Sequence, residues 1–276
     1  MSLDPALPSF DRIRLATFND LSRIATVAAA GFYYSPTFRF QRPHHAEFPE
    51  DTISSYWAEY KATIMNPACA VLVAEDTCIE GESEQVYEAL RRSPMYSRTG
   101  DARAQVIVGV CSISLEPNSW RVGQFQTGTH VECPEPHALF NGLNRDQSTR
   151  ALERYNAATA PAKSKFLARK MRLSTLAVHP AYWKRGHATR LVSWCTRLAD
   201  LDNLPLGISA APMGAKIAAS AGFKEDEIVR IEQENVQGDS SSQGCPVELW
   251  VATRWPYQSP SDSSTTCSES PSTESM

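Results

Sequence analysis

Between Leu173 and Leu201 the hydrophobic period of the chain changes once, and that change predicts its most informative pair of elements. Leu173, Thr175, Ala177 and His179 alternate with Ser174, Leu176 and Val178, a pattern that predicts a strand largely covered on both faces. Pro180 ends it, because proline cannot donate to a ladder and disfavours a helical residue before it. After Trp183-Lys184-Arg185-Gly186, the apolar residues Ala188, Leu191, Val192, Cys195, Leu198 and Ala199 recur at helical spacing. Thr189, Arg190, Ser193, Arg197 and Asp200 fall opposite them, which predicts an amphipathic helix with one buried face. A strand that enters a helix through a glycine turn leaves the first amide N–H groups unpaired. Together with the positive end of the helix dipole they suit an anion, phosphate above all. Lys184 and Arg185 add two cations there, and Gly186 has no Cβ to hold a ligand away.

The same periods divide the rest of the chain. Residues 11–16 predict a first strand, and residues 17–20 supply capping side chains for a helix carrying Leu21, Ile24, Ala25, Ala28 and Phe32. Residues 33–51 are aromatic, basic and broken by proline, so a loop or short helical turns are expected. A second helix is predicted over 53–65, and strands over 70–75 and 106–115. Between those strands, residues 77–105 form a polar insertion with one helix near 84–92. Residues 116–165 show no sustained period, although 140–167 has partly helical character. Downstream come a strand at 206–210 and a helix at 212–220 that closes with Ala221-Gly222-Phe223, where Gly222 suits a C-cap. Two antiparallel strands follow at 228–232 and 247–254, joined by a flexible loop at 238–244. These elements imply one domain over 11–256 after an N-terminal extension of 1–10, with insertions near 77–105 and 116–170. The tail, 257–276, is rich in Ser, Thr, Pro and Glu without Lys or Arg, and is expected to be disordered. Period alone predicts a mixed α/β sheet.

The strand end Val178-His179-Pro180, followed by Gly186-His187-Ala188 at the head of a helix, resembles motif A of the GNAT superfamily of acyl-CoA-dependent N-acyltransferases. In that motif V-x-P is followed by R/Q-x-x-G-x-G/A. Trp183 departs from the first basic or amide position, and Lys184 and Arg185 stand next to it as replacement charge. The strand at 206–210, the helix at 212–220 and Gly222-Phe223 are similar to the family's next strand and its helix ending in L-G-F. The resemblance covers roughly residues 172–223. It implies an α/β fold with a mixed, mostly antiparallel central sheet flanked by helices, whose splayed fourth and fifth strands admit a pantetheine arm. It also implies an N-acetyltransferase that moves an acetyl or other acyl group from CoA directly to an amine. No cysteine lies at a motif position where a covalent acyl intermediate would form. By the same resemblance, the CoA diphosphate rests on the amides of Gly186, His187, Ala188 and Thr189 beside Lys184 and Arg185. The main chains of Leu176, Ala177 and Val178 hold the pantetheine and polarise the thioester carbonyl. Many family members place a tyrosine four residues before the second glycine, as general acid for the departing thiolate. This chain has Ala218 there.

Composition narrows the partners. The 276 residues carry a formal net charge of −4, without the broad basic surplus that nucleic acid binding needs. The first fifteen residues lack the apolar core of a signal peptide, and no run approaches the roughly 18 apolar residues of a membrane span. The seven cysteines are odd in number and irregularly spaced, so reduced thiols and a cytoplasmic setting are expected. His130, Cys133 and His137 have ligand-like spacing but no evident fourth ligand, so no metal is expected. An amine near pKa 10 needs a base. Glu116 and Glu227 are the candidates, with Glu47, Glu50 and Asp51 behind them; for each the plain alternative is an exposed surface acid. His179 is expected to pack structurally, and His187 to lie on the helix surface near the anion turn. Phe32, Tyr33, Tyr34, Phe38 and Phe40 either line an acceptor pocket or fill the core. His44 and His45, with Arg39 and Arg42, form a basic corner. Three functions stay open: an N-acetyltransferase of small amines, a non-catalytic acyl-CoA-binding or regulatory module in keeping with Ala218 and Trp183, and a protein N-acetyltransferase. The long insertions favour a covered small-molecule pocket over an open peptide groove. The acceptor itself is not legible, because such pockets come from loops on a shared scaffold.

Overall fold

A computed structural model of the chain describes residues 7–97, 104–126, 143–232 and 246–257. The N-terminal half runs β1 (Ile13–Leu15), α1 (Leu21–Phe32), α2 (Pro36–Gln41), α3 (Pro49–Met65), β2 (Cys69–Thr77), α4 (Glu88–Arg92) and β3 (Gln105–Ser114). The second half runs α5 (Thr149–Leu167), β4 (Met171–Val178), α6 (His187–Leu201), β5 (Leu206–Ala210), α7 (Pro212–Ser220), β6 (Lys224–Ile231) and β7 (Val247–Arg254). The strands form one sheet in the order β1-β2-β3-β4-β5-β7-β6. Every pairing is antiparallel except β4 with β5. This is the mixed, mostly antiparallel sheet expected from the resemblance.

The parallel pairing is short. It runs from Met171 opposite Leu206 to Leu173 opposite Ile208 and stops, while β4 continues to Val178 with β3 as its one neighbour. The two middle strands therefore part. On its β3 side β4 bulges at the same level, since Thr175 faces Ser112 while Leu173 faces Ile113, leaving Ser174 as the extra residue. The sequence pattern predicted β4 covered on both faces. Instead Arg172 and Ser174 are exposed and Thr175 and Leu176 only half-buried. Past the last pair at Leu173, the departure of β5 uncovers Ser174, Thr175 and Leu176.

Each sheet face has its own core. On one face α6 and α7 bury Leu191, Trp194, Cys195 and Leu198 against β2, β3, β4 and β5. The predicted stripe of α6 is correct but too narrow, because His187, Trp194 and Thr196 are buried as well. Trp194 fits because its indole N–H donates to Pro8 O at 3.2 Å and its ring meets Phe10 and Phe125. On the other face α1 and α3 cover Val71, Val73, Val110 and Ala177. α5 covers a smaller cluster of Leu249 and Val251 with Ala162 and Leu167. α3 begins earlier than its apolar stripe implied, at Pro49 in the first helical turn with Glu50 and Asp51 complementing the dipole. Cys111 and Cys195 face each other as buried thiols 3.7 Å apart. No helix of the described residues is long and apolar enough to cross a membrane. The expected loop at 238–244, the tail beyond Tyr257 and the trio His130, Cys133 and His137 lie outside the described residues.

Candidate functional site

Where β4 leaves β5 a cleft of about 490 Å³ opens. Its walls are β4 from Leu173 to Val178, the end of β5, the first turns of α6 and α7, and the end of α1. α1 reaches this wall because Gly31 lies directly on β4: a Cβ there would stand 2.9 Å from Val178 O. Such a clash with backbone explains the glycine inside a helix.

The amide direction along β4 follows from one bond, His179 N–H donating to Val108 O at 2.8 Å. In an antiparallel ladder alternate residues turn to the partner strand, so Ala177 and Thr175 also bond toward β3. Leu176 and Val178 then turn their amides outward, where β5 has already departed. Val178 O accepts from the Trp183 indole at 2.8 Å, so Trp183 caps the strand end from the position where the motif has a basic residue or an amide. All three β4 residues picked from sequence line the cleft: Leu176 and Val178 turn their amides toward it, whereas Ala177 packs its methyl against Gly31 of α1.

The turn after β4 has two left-handed residues, Lys184 at φ 62° and Gly186 at φ 83°. A Cβ on Gly186 would meet nothing within 4 Å. Glycine is therefore favoured there by backbone conformation rather than by space. The first helical bond of α6 is Arg190 N–H to Gly186 O at 3.0 Å, so the amides of His187, Ala188 and Thr189 precede the ladder. Among the described residues no side chain caps them. Lys184, Gly186, His187, Ala188 and Thr189 all line the cleft. Arg185 does not: its guanidinium lies 3.5 Å from Asp76 and over the Tyr182 ring.

His187 departs from expectation. It is 3% exposed rather than on the surface, because Asp76 at the end of β2 takes its Nε2 at 3.0 Å. Arg190 donates to Nδ1 at 3.2 Å, which leaves the proton on Nε2. Burial lowers its pKa against the opposing pull of Asp76, with Arg190 and Arg185 lowering it further, so the ring is neutral at pH 7.

His179 packs structurally, as expected. It is 0% exposed, its Nδ1 accepts from Ala181 N–H, and its Nε2 meets Tyr96 Oη at 3.2 Å. Burial pushes its pKa down to about 4. Beneath the turn sits Glu82, carried in by the 77–105 insertion. It takes both terminal nitrogens of Arg23 at 2.8 Å and accepts from Tyr182 Oη at 2.7 Å. Burial raises its carboxyl, but the bonds and charge of Arg23 prevail and hold it below the ordinary value. Arg23 in turn donates to Ile107 O at 2.8 Å, tying α1, β3 and the turn into one unit. Nothing in sequence marks Glu82, which reads as one acid among several in a polar segment.

The acids picked from sequence are elsewhere. Glu116 accepts from Asn118 N–H in its own turn, and Glu227 sits in β6 opposite Val251; neither lines the cleft. Asp51 is buried against Arg145, and Glu47 bonds His44. Of the aromatic set, Phe32 lines the cleft and the exposed Tyr34 stands edge-on to Trp183. Tyr33 and Phe38 pack with His45 in a separate ring cluster. α7 sends Met213, Gly214 and Ile217 into the cleft, while Ala218 is 1% exposed in the core and Lys216 does not line it, so no titratable group of α7 reaches the cleft. Among the described residues no His, Cys, Asp and Glu cluster could hold a metal.

An acetyltransferase of Stachybotrys chartarum (strain CBS 109288 / IBT 7711) is 31% identical over 220 residues, 80% of this chain and 83% of that protein. Solved structures with a similar course include histone acetyltransferase HPA2 and related acetyltransferase from Corynebacterium glutamicum, 14% identical over 90% of this chain and 97% of that one, with a TM-score of 0.48. Arylalkylamine N-acetyltransferase 2 from Aedes aegypti is 12% identical over 88% and 98%, with a TM-score of 0.46. PaiA N-acetyltransferase from Thermoplasma acidophilum, in complex with coenzyme A, is 9% identical over 88% and 97%, with a TM-score of 0.42. No family model matches the chain. Given its kinship with the Stachybotrys enzyme across four-fifths of its length, and the glycine turn and uncapped helix that follow the parted β4, the chain belongs to the GNAT superfamily of acetyltransferases.

Proposed function

We propose that this acetyltransferase moves an acetyl group from acetyl-CoA directly to the amine of a small molecule. The observation that carries the reading is the parting of β4 from β5 beside the uncapped amides of α6. An extended thioester arm fits the cleft, whose volume is that of a small-molecule site. The amides of His187, Ala188 and Thr189 and the Lys184 ammonium hold the diphosphate. Arg185 acts at one remove, through Asp76 and Tyr182. The outward amides of Leu176 and Val178 bind the arm and steady negative charge on the thioester oxygen as the amine attacks. Fixed N–H donors suit that task because they need no reorganisation when charge develops. The thiol product, of pKa about 8.5, is a tolerable leaving group even with no titratable residue of α7 lining the cleft.

The test is thiol release from acetyl-CoA with a panel of small amines, beside calorimetric CoA binding. Amine-dependent thiol release supports the reading. Tight CoA binding without release from any amine supports instead a non-catalytic acyl-CoA module, a reading favoured by the burial of Ala218.

A further inference from the structure

Thr175 stands at the bulge of β4, just beyond the last pair with β5, and lines the cleft. Its hydroxyl is held by two buried hydroxyls from elsewhere in the fold. Tyr60 of α3, 1% exposed, donates to Thr175 Oγ1 at 3.1 Å. Ser112 of β3 stands 2.6 Å away. A buried hydroxyl hydrogen needs an acceptor, and among the described residues Thr175 is the one within reach of the Ser112 hydroxyl. Ser112 therefore donates to Thr175. A threonine hydroxyl has one hydrogen and two lone pairs. With both lone pairs taken by Tyr60 and Ser112, the Thr175 hydrogen is left for the cleft. Burial keeps the Tyr60 phenol well above its ordinary pKa, so it stays a donor across the working pH range.

The position is chemically useful. Thr175 precedes Leu176, whose amide faces the cleft, and lies on the side of the sheet that α3 covers. A group here adjoins the main chain proposed to bind the thioester, in the same cleft wall. α7 offers no acid for the departing sulfur.

We propose that Thr175 is a catalytic residue that donates a hydrogen bond from its hydroxyl to the departing sulfur, with Tyr60 and Ser112 as positioning residues. The N–C bond forms as the amine, arriving as free base, adds to the carbonyl carbon. The C–S bond then breaks, and its electron pair goes to sulfur. Thr175 keeps its proton and hydrogen-bonds the thiolate as it forms, while the surplus nitrogen proton leaves to water. The products are amide, thiolate and a solvated proton, and Thr175 ends as it began. This role rests on the acetyl transfer proposed above.

The experiment compares Thr175→Val, Thr175→Ser and Tyr60→Phe with the parent enzyme on the best amine of the panel. Thiol release gives kcat, and calorimetry gives acetyl-CoA affinity. Thr175→Val should lower kcat by about 10²–10³-fold with acetyl-CoA affinity within about threefold. Thr175→Ser should recover most of that loss, because it restores the hydroxyl but not the methyl. Tyr60→Phe should lower kcat less, by about tenfold, and leave affinity unchanged. This role is wrong if Thr175→Val keeps kcat within about threefold, or if Thr175→Ser is no better than Thr175→Val. Those outcomes leave the proposed reaction standing. Absence of thiol release with every amine overturns both.

Discussion

Replacing Glu82 by Ala should destabilise the protein more than any exposed substitution, and the reason lies in what it leaves behind. Arg23 is 8% exposed, and its two terminal nitrogens both rest on Glu82. Removing the carboxylate strands a buried guanidinium and takes the acceptor from Tyr182 Oη. Breaking one side of a buried pair costs about 3–5 kcal/mol. For a domain of this size that corresponds to a Tm roughly 6–15 °C lower. Because Tyr182 leads into the turn proposed to hold the diphosphate, CoA binding should weaken alongside stability. Urea unfolding and calorimetry on Glu82→Ala, Arg23→Met and the double variant Arg23→Met/Glu82→Leu check the reasoning. The double variant should recover much of the loss, since apolar groups of similar volume need no counter-charge. A loss below about 1 kcal/mol for Glu82→Ala, or a double variant worse than either single one, would refute the idea that the insertion braces the turn.

Other consequences follow from the same contacts. His179 has a folded pKa near 4, below its unfolded value of about 6.5. The unfolded chain therefore binds more protons in that window, and stability should be full above pH 6.5 and fall by up to about 3 kcal/mol as pH drops toward 4. Denaturant titrations across pH should show this slope, and His179→Gln should flatten it. Gly31→Ala places a Cβ 2.9 Å from Val178 O. It should cost about 1–3 kcal/mol by overpacking and raise the KM for acetyl-CoA, as read by thermal melts and kinetics. Lys184→Ala should weaken CoA binding about two- to fivefold, and Arg185→Ala less, because Lys184 alone of the two lines the cleft. Equal effects in calorimetry would contradict the orientation of Arg185.

The strand, turn and helix over residues 171–201 were legible because local signals agree: a period of two gives way to 3.6 at Pro180 and Gly186. The parting of β4 from β5 followed from the family resemblance, and its effect on exposure did not, because alternation cannot reveal a missing neighbour. α5 was legible only as partly helical character over 140–167. Of its residues Ala151, Thr159, Ala162 and Leu167 are buried and Pro161 lies inside it, so no strong stripe marks its bounds. The residues that brace the site are long-range partners: Glu82 with Arg23, Asp76 with His187, Tyr60 with Thr175. None lies within a local window of its partner, so no local pattern could join them. Arg185 shows the converse, a motif-adjacent cation that a distant Asp76 turns away from the cleft.

The central claim is that a diphosphate rests on the amides after Gly186, and calorimetric titration of CoA into Gly186→Asp tests it most directly. A new carboxylate about 5–6 Å from a seated phosphate repels it by about 1–3 kcal/mol per unit charge. Kd should therefore rise roughly 5- to 150-fold. Gly186→Ala, which bears only the left-handed strain of about 1–2 kcal/mol on folding, serves as the control and should bind CoA more tightly than Gly186→Asp. A folded Gly186→Asp variant that binds CoA as the parent does would place the diphosphate elsewhere and contradict the account.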